Sequence, residues 1–248
     1  MNTIYILWLR QIKRYLRSRA RIVGSLGQPI LFLVALGFGF GPIYAKAGGG
    51  NYLQFLAPGV VAMGILFTAV FSGIEIIWDR QFGFLKETLV APVPRLHIMI
   101  GRTLGGATVA VLQGVIVFAI TLLVGFRPEN YLLIPVAFLV MFLIALLFTA
   151  LGTGIACLLE DFQEFQLIMN FLVMPLFFLS GSLFPLEGVP TGIAIVARLD
   201  PLTYGIDALR GTLLGISQFG MGMDFLVLGG ITAVLLIIGS QLFARIQV

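Results

Sequence analysis

Charged residues leave six long gaps in this chain. Between Ile22 and Ala45, Ala47 and Ile74, Thr103 and Phe126, Asn130 and Leu159, Phe165 and Leu186, and Phe225 and Ala244 there is no Asp, Glu, Lys or Arg. Each gap is long enough for a helix of about 20 residues, which crosses ~30 Å of hydrocarbon. A helix is expected there because it satisfies its own backbone N–H and C=O groups where water cannot. Ahead of the first gap the pattern changes. Arg10, Lys13, Arg14, Arg17 and Arg21 recur at helical spacing, and Ile4, Leu7, Trp8, Ile12, Tyr15 and Leu16 fall on the opposite side. Residues 1–21 therefore read as an amphipathic helix in the membrane interface, cations toward anionic headgroups and Trp8 as an anchor. The fold predicted is an all-α membrane protein, a single transmembrane domain over residues 1–248.

Two segments between the gaps are longer than a connection requires. Residues 79–97 read as a short cytoplasmic helix, Asp79 to Val90, stopped by Pro92 and Pro94, which remove backbone donors and disfavour helical geometry before them. Phe82, Leu85 and Leu89 can form one apolar stripe, so the segment either docks on another protein or lies on the bilayer. Residues 187–223 hold an apolar stretch, Gly188–Ala197, too short to span, punctuated by Pro185, Pro190 and Pro201. Non-helical backbone at membrane depth survives when buried in protein or lining a wet cavity. Two short re-entrant helices on the outer side fit that rule. Asp207 and Arg210, three apart, are spaced as a helical ion pair.

Charge fixes an orientation. Of the 15 Lys and Arg residues, six lie between Arg10 and Arg21, and cations beside a first span stay in the cytoplasm. Both termini are then inside, with Arg80, Lys86, Arg95, Arg102 and Arg245, and only Lys46, Arg127, Arg198 and Arg210 fall outside. The clustering marks the net charge of +4 as topological and argues against nucleic acid. With 10% charged residues, against about 25% in soluble domains, no segment is left for a soluble catalytic domain. Cys157 is the only cysteine and His97 the only histidine, so no catalytic or metal site is expected. Glu75 is expected to reach the cytoplasmic interface beside Trp78 and Asp79. The Gly106, Ala110, Gly114 strip is expected to pack within the subunit.

The run Lys86-Glu87-Thr88-Leu89-Val90-Ala91-Pro92-Val93-Pro94-Arg95 resembles the cytoplasmic loop of the ABC-2 family of transporter permeases. A second match follows the fifth gap, in Phe178-Leu179-Ser180-Gly181-Ser182-Leu183-Phe184-Pro185 and then Pro201-Leu202-Thr203-Tyr204, with Arg210 six residues after the Tyr. The resemblance implies a six-helix subunit of an ATP-driven exporter in a prokaryotic plasma (inner) membrane. It implies that Leu85, Lys86, Glu87, Thr88, Leu89 and Arg95 form a coupling helix seated on an ATPase subunit. The helix bearing Trp8, Arg10, Arg14 and Arg17 would be a second contact, and Pro201, Tyr204, Asp207 and Arg210 would mark the outer re-entrant motif. ATP and magnesium would belong to that partner, in two copies, alongside a second permease copy or a paralogue. The chain has no phosphate-binding loop of its own, and Gly37-Phe38-Gly39-Phe40-Gly41 lies inside a span.

Asn170, Met174, Phe177 and Phe178 on span five, with Thr68 and Ser72 on span two, suggest a route that is polar, soft and uncharged. An amphiphilic cargo follows, a drug, a lipid or a lipid-linked molecule, with polysaccharide or lipid-linked glycan export as the alternative. An ion-driven carrier would need midplane charges and inverted repeats, and the sequence displays neither.

Overall fold

The computed structural model describes residues 2–48, 50–84 and 93–244, and among them every regular element is helical. Helix α1 spans Asn2–Arg17 and turns at Ser18 into α2, Arg19–Phe32. A π-helical turn, Leu33–Phe38, and α3, Gly41–Lys46, continue the first span. Helix α4, Tyr52–Phe71, breaks at Ser72-Gly73 and resumes as α5, Ile74–Gln81. Helix α6 runs Arg95–Val124, α7 Ile134–Leu158 and α8 Phe162–Leu179. Then come α9, Thr191–Leu199, α10, Pro201–Leu214, and α11, Met221–Ala244.

Six stretches are long and apolar enough to cross a membrane: Arg19–Lys46, Tyr52–Gln81, Arg95–Val124, Tyr131–Leu158, Phe162–Leu179 and Met221–Phe243. Their ends follow local chemistry. Asn51, Asp161 and Asp200 cap α4, α8 and α10, each accepting the N–H two residues on at 2.8–3.2 Å. Gly215, at φ +68°, ends α10 in a left-handed turn. Pro94 sets the start of α6, two turns before the charge-free gap begins. Span five is shorter than its gap, because the chain leaves the helix at Ser180-Gly181.

Helix α4 is the centre, and Ala57 to Leu66 along it are fully enclosed. Helices α2, α6, α7, α8 and α10 surround it, with α11 on α7 and α1 on α6. Close approach decides two of these contacts. A Cβ on Gly73 would overlap the Gly152 carbonyl of α7, so the break in α4–α5 is where that backbone passes. Gly106 and Gly114 receive Ser72 and Ile65, so the small-residue strip packs inside the subunit.

Candidate functional site

The end of the bundle that carries Gln81 and Arg95 is organised around α5. Glu75 and Asp79 are one helical turn apart on one face and only 6% and 5% exposed. Helix α1 passes them in the opposite direction, offering Arg10 and Arg14 at the same spacing. Arg10 Nη2 donates to Asp79 Oδ1 at 3.3 Å, and Arg14 Nη1 lies 3.6 Å from Glu75 Oε2. Arg21 Nη1 donates to Glu75 Oε1 at 3.1 Å, and Arg102 of α6 donates to Asp79 Oδ2. Buried carboxylates are tolerable because these cations answer them. Arg80 donates to the carbonyls of Leu159 and Cys157 at 3.0 and 3.2 Å, partnering the acceptors that the end of α7 leaves open. One turn of α5 thus ties together α1, α2, α6 and α7.

Glu75 is enclosed by two arginines. One expectation is corrected: Asp79 to Gln81 close the helix that continues span two, instead of opening a separate helix at Asp79. Nor do all the α1 side chains turn to solvent or lipid. Leu7 and Ile4 approach Gly101, and Trp8 and Gln11 approach Gly105, with α1 and α6 running the same way. Trp8 Nε1 donates to Thr108 Oγ1 at 3.0 Å, and the Tyr15 hydroxyl donates to Gln113 Oε1 at 2.6 Å. Arg17 remains exposed. Leu85, Lys86, Glu87, Thr88 and Leu89 lie outside the described residues, and Arg95 is exposed in the first turn of α6.

Span five divides the route residues. Phe165, Met169, Val173 and Phe177, four apart, form the buried stripe of α8. Phe177 is enclosed against Phe32 of α2, with ring centroids 5.7 Å apart, and so does not share one exposed face with Asn170, Met174 and Phe178. Asn170, Met174 and Phe178 sit 100° further round and are exposed with Gln166. Ser72 is buried toward α6, its hydroxyl donating to the Ala69 carbonyl. Thr68 borders a cavity of about 230 Å³ between α2 and α4 together with Arg21, Ser25, Gln28 and Phe71. Phe71 meets Phe165 of α8 edge-on.

At the other end, Pro201 opens α10 and its first turn holds the last turn of α9. Thr203 Oγ1 donates to the Ala197 carbonyl at 2.7 Å, and the Tyr204 hydroxyl donates to that of Arg198 at 2.9 Å. Asp207 and Arg210 do not form the ion pair their spacing suggested. Asp207 accepts from Ser217 Oγ and from the Gln218 and Phe219 N–H groups, each at 2.9 Å. Arg210 donates to the carbonyls of Gly181 and Phe55, its guanidinium 3.9 Å from the Phe55 ring centroid. Each charge has closer dipoles than the other charge. Burial lowers the Arg210 pKa to about 10, opposed by Asp207, which leaves it charged at neutral pH. Beside it is a cavity of about 570 Å³ bordered by Tyr44, Gln54, Phe55, Arg127 and Glu187.

The sequence signal for the knot was present but split. Arg10 and Arg14 repeat the spacing of Asp79 and Glu75 in reverse order, as two antiparallel helices in charge register require.

Comparison with known proteins shows the family. The model of the ABC-2 type transporter family matches residues 2–214. Nodulation protein J of Rhizobium leguminosarum bv. trifolii is 30% identical over 85% of this chain and 78% of its own length. Its counterpart from Rhizobium leguminosarum bv. viciae is 28% identical over 84% of this chain and 81% of its own. The inner membrane transport permease YadH of Escherichia coli K12 is 27% identical over 90% of this chain and 87% of its own. The chain belongs to the ABC-2 type transporter family and is a multi-pass membrane transport permease.

Proposed function

We propose that this permease exports an amphiphilic molecule from the cytoplasm, driven by ATP hydrolysis on separate ATPase subunits. The observation carrying this reading is the mixed polar and apolar surface along α8 and α2, on which the cation lining the cavity, Arg21, is already paired with Glu75. Asn170, Met174 and Phe178 are exposed on α8, and Thr68, Ser25 and Gln28 line a cavity between α2 and α4, so both regions offer polar and soft apolar groups. With Arg21 held by Glu75, that surface favours cargo recognised by polar and soft apolar contacts over a strongly charged solute. Such a face, on the loosely packed side of one subunit, suits a route completed by a second permease.

Coupling is assigned to the segment after Gln81 and to α1, each meeting an ATPase, with Arg95 and Glu87 as polar contacts. Two permeases and two ATPases complete the assembly, both termini inside and α9–α10 re-entrant on the outer side. Burial of α10 between α4, α7 and α11 supports that last placement.

The outer cavity favours a second reading, cargo with a glycan headgroup. Tyr44 and Phe55 offer ring faces, and Asn51, Gln54, Gln218 and Glu187 offer hydrogen bonds to hydroxyls. One experiment separates the two. The complex reconstituted in liposomes is assayed for ATP-dependent movement and ATPase stimulation with a lipophilic drug and with a lipid-linked oligosaccharide. Stimulation by the drug, altered in Asn170→Ala, supports the first reading. Stimulation by the oligosaccharide alone, lost in Glu187→Gln, supports the second. Stimulation by neither would overturn both.

A further inference from the structure

Two cavities open at the end of the bundle away from α5, and one short strap divides them. The first, of about 570 Å³, is the one beside Arg210. The second, of about 390 Å³, is bordered by Leu186, Ala194, Arg198, Ser217 and Phe219. Ile216, Gln218 and Glu187 border both. The partition is therefore Glu187 on one side and the strap between α10 and α11, residues 215–220, on the other.

The strap is held mainly at one point. It begins at Gly215 and ends at Gly220, at φ +68° and +86°, left-handed backbone that glycine adopts without strain. Residues 215–218 are exposed and Phe219 is half-buried. The hydrogen bonds that tie 217–219 to α10 all end on Asp207, to which Ser217 Oγ and the Gln218 and Phe219 N–H groups donate. Phe219 also rests on the Tyr204 ring, with centroids 5.0 Å apart. Asp207, Tyr204 and Gly211, beneath, are buried. A Cβ on Gly211 would lie 3.4 Å from Ser217 Cβ and 3.7 Å from Met221 Cγ, ordinary contacts, so the strap roofs this turn of α10. An exposed segment anchored through one carboxylate opens at lower cost than the buried helices it joins. We propose that the strap is a hinged lid, latched by Asp207, whose lifting joins the two cavities into one groove along α10. Gly215 and Gly220 are its hinges, and Ile216 and Gln218 leave the partition together. The lid lies over the cavity of the glycan reading but does not depend on it, and its test uses no cargo.

Access to position 211 reads the lid directly, because Ser217 and Ile216 cover it. The full-length chain carrying Gly211→Cys in a Cys157→Ser background is placed in nanodiscs and exposed to a charged, water-soluble maleimide. A second chain with Thr212→Cys in place of Gly211→Cys is the control for loosening of α10 itself, since Thr212 is fully enclosed on the same turn. The cysteine at 211 should react faster than the one at 212. Adding Asp207→Asn should speed reaction at 211 about ten-fold, and Ser217→Ala about three-fold, with position 212 unchanged. Ser217→Ala leaves the carboxylate in place and decides alone should Asp207→Asn fail to insert. Reaction at 211 no faster than at 212 would show a fixed cap and overturn the proposal. An unchanged rate in the latch variants, or an equal rise at both positions, also overturns it.

Discussion

Removing the carboxylate of Asp79 tests whether the inner knot holds the bundle together. Asp79 answers two cations that differ in burial. Arg102 is 5% exposed and its Nε has no partner, whereas Arg10 is 45% exposed. In Asp79→Leu, Arg102 becomes a buried charge without a counter-ion, a change that costs about 3–5 kcal/mol. At about 2–4 °C per kcal/mol for a chain of this size, Tm should fall by roughly 6–20 °C. Arg10→Ala should cost no more than about 1 kcal/mol, because water takes up much of that pair. The double variant Asp79→Leu/Arg102→Met removes both buried charges and should recover most of the loss. Thermal unfolding of the purified protein in one detergent, followed by circular dichroism, measures all three. A fall of less than about 2 °C in Asp79→Leu, or a double variant no better than the single, refutes the electrostatic account.

Asp200 makes stability depend on pH. Burial raises its pKa from 3.8 to about 7, against the Leu202 N–H, which lowers it. Its uncharged form suits the fold, so its contribution is fully present below pH 3.8 and is lost as pH rises through 7. Asp200→Asn, which keeps a capping oxygen, should abolish that slope and unfold at a higher temperature than the parent at pH 8. Topology predicts that a cysteine at Lys86, in a Cys157→Ser background, escapes an impermeant thiol reagent in intact cells. One at Lys46 or Arg127 should be labelled, and the opposite pattern overturns the orientation. Glu87→Arg should abolish ATP-driven transport with normal insertion and expression, through an unpaired charge in a docked contact. Normal transport by that variant removes the loop from coupling.

What the sequence made legible is whatever depends on short-range chemistry. Six spans followed from charge-free length, and the punctuation at Pro190 and Pro201 falls where α9 and α10 begin. The knot was not legible, because it joins residues 23 to 79 positions apart and each charge taken alone reads as interface polarity. Span five failed for a subtler reason. Phe177 and Phe178 are neighbours in sequence but 100° apart around α8, and the boundary between core and exposed face runs between them. Apolar residues suit core and lipid alike, so hydrophobicity could not say which of the two faced inward. The Asp207–Arg210 pair failed because backbone dipoles compete with side-chain charges inside a packed segment. Gln218 and Phe219 reach Asp207 first.

The uneven packing of the spans suggests how a push at the inner face could act on the route. In its most apolar stretch, span two is 78% buried, whereas spans one, five and six are 17–22% buried. Span two is therefore a mast, and span five leans on it through few residues. The segment after Gln81 continues directly from α5, so any displacement of it is applied first to Asp79 and Arg80. From there it passes to α1 and α6 through the arginines, and to α7 through the carbonyls of Cys157 and Leu159. Span one receives the same push twice, once along the chain through α1 and once through Arg21 on Glu75. Its π-helical turn at Leu33–Phe38 lies beyond that contact, where the helix is most easily re-wound. Thr68 and the cavity between α2 and α4 lie between the pushed end and that turn. A load at the cytoplasmic face therefore acts on the walls of the proposed route before it reaches the outer helices.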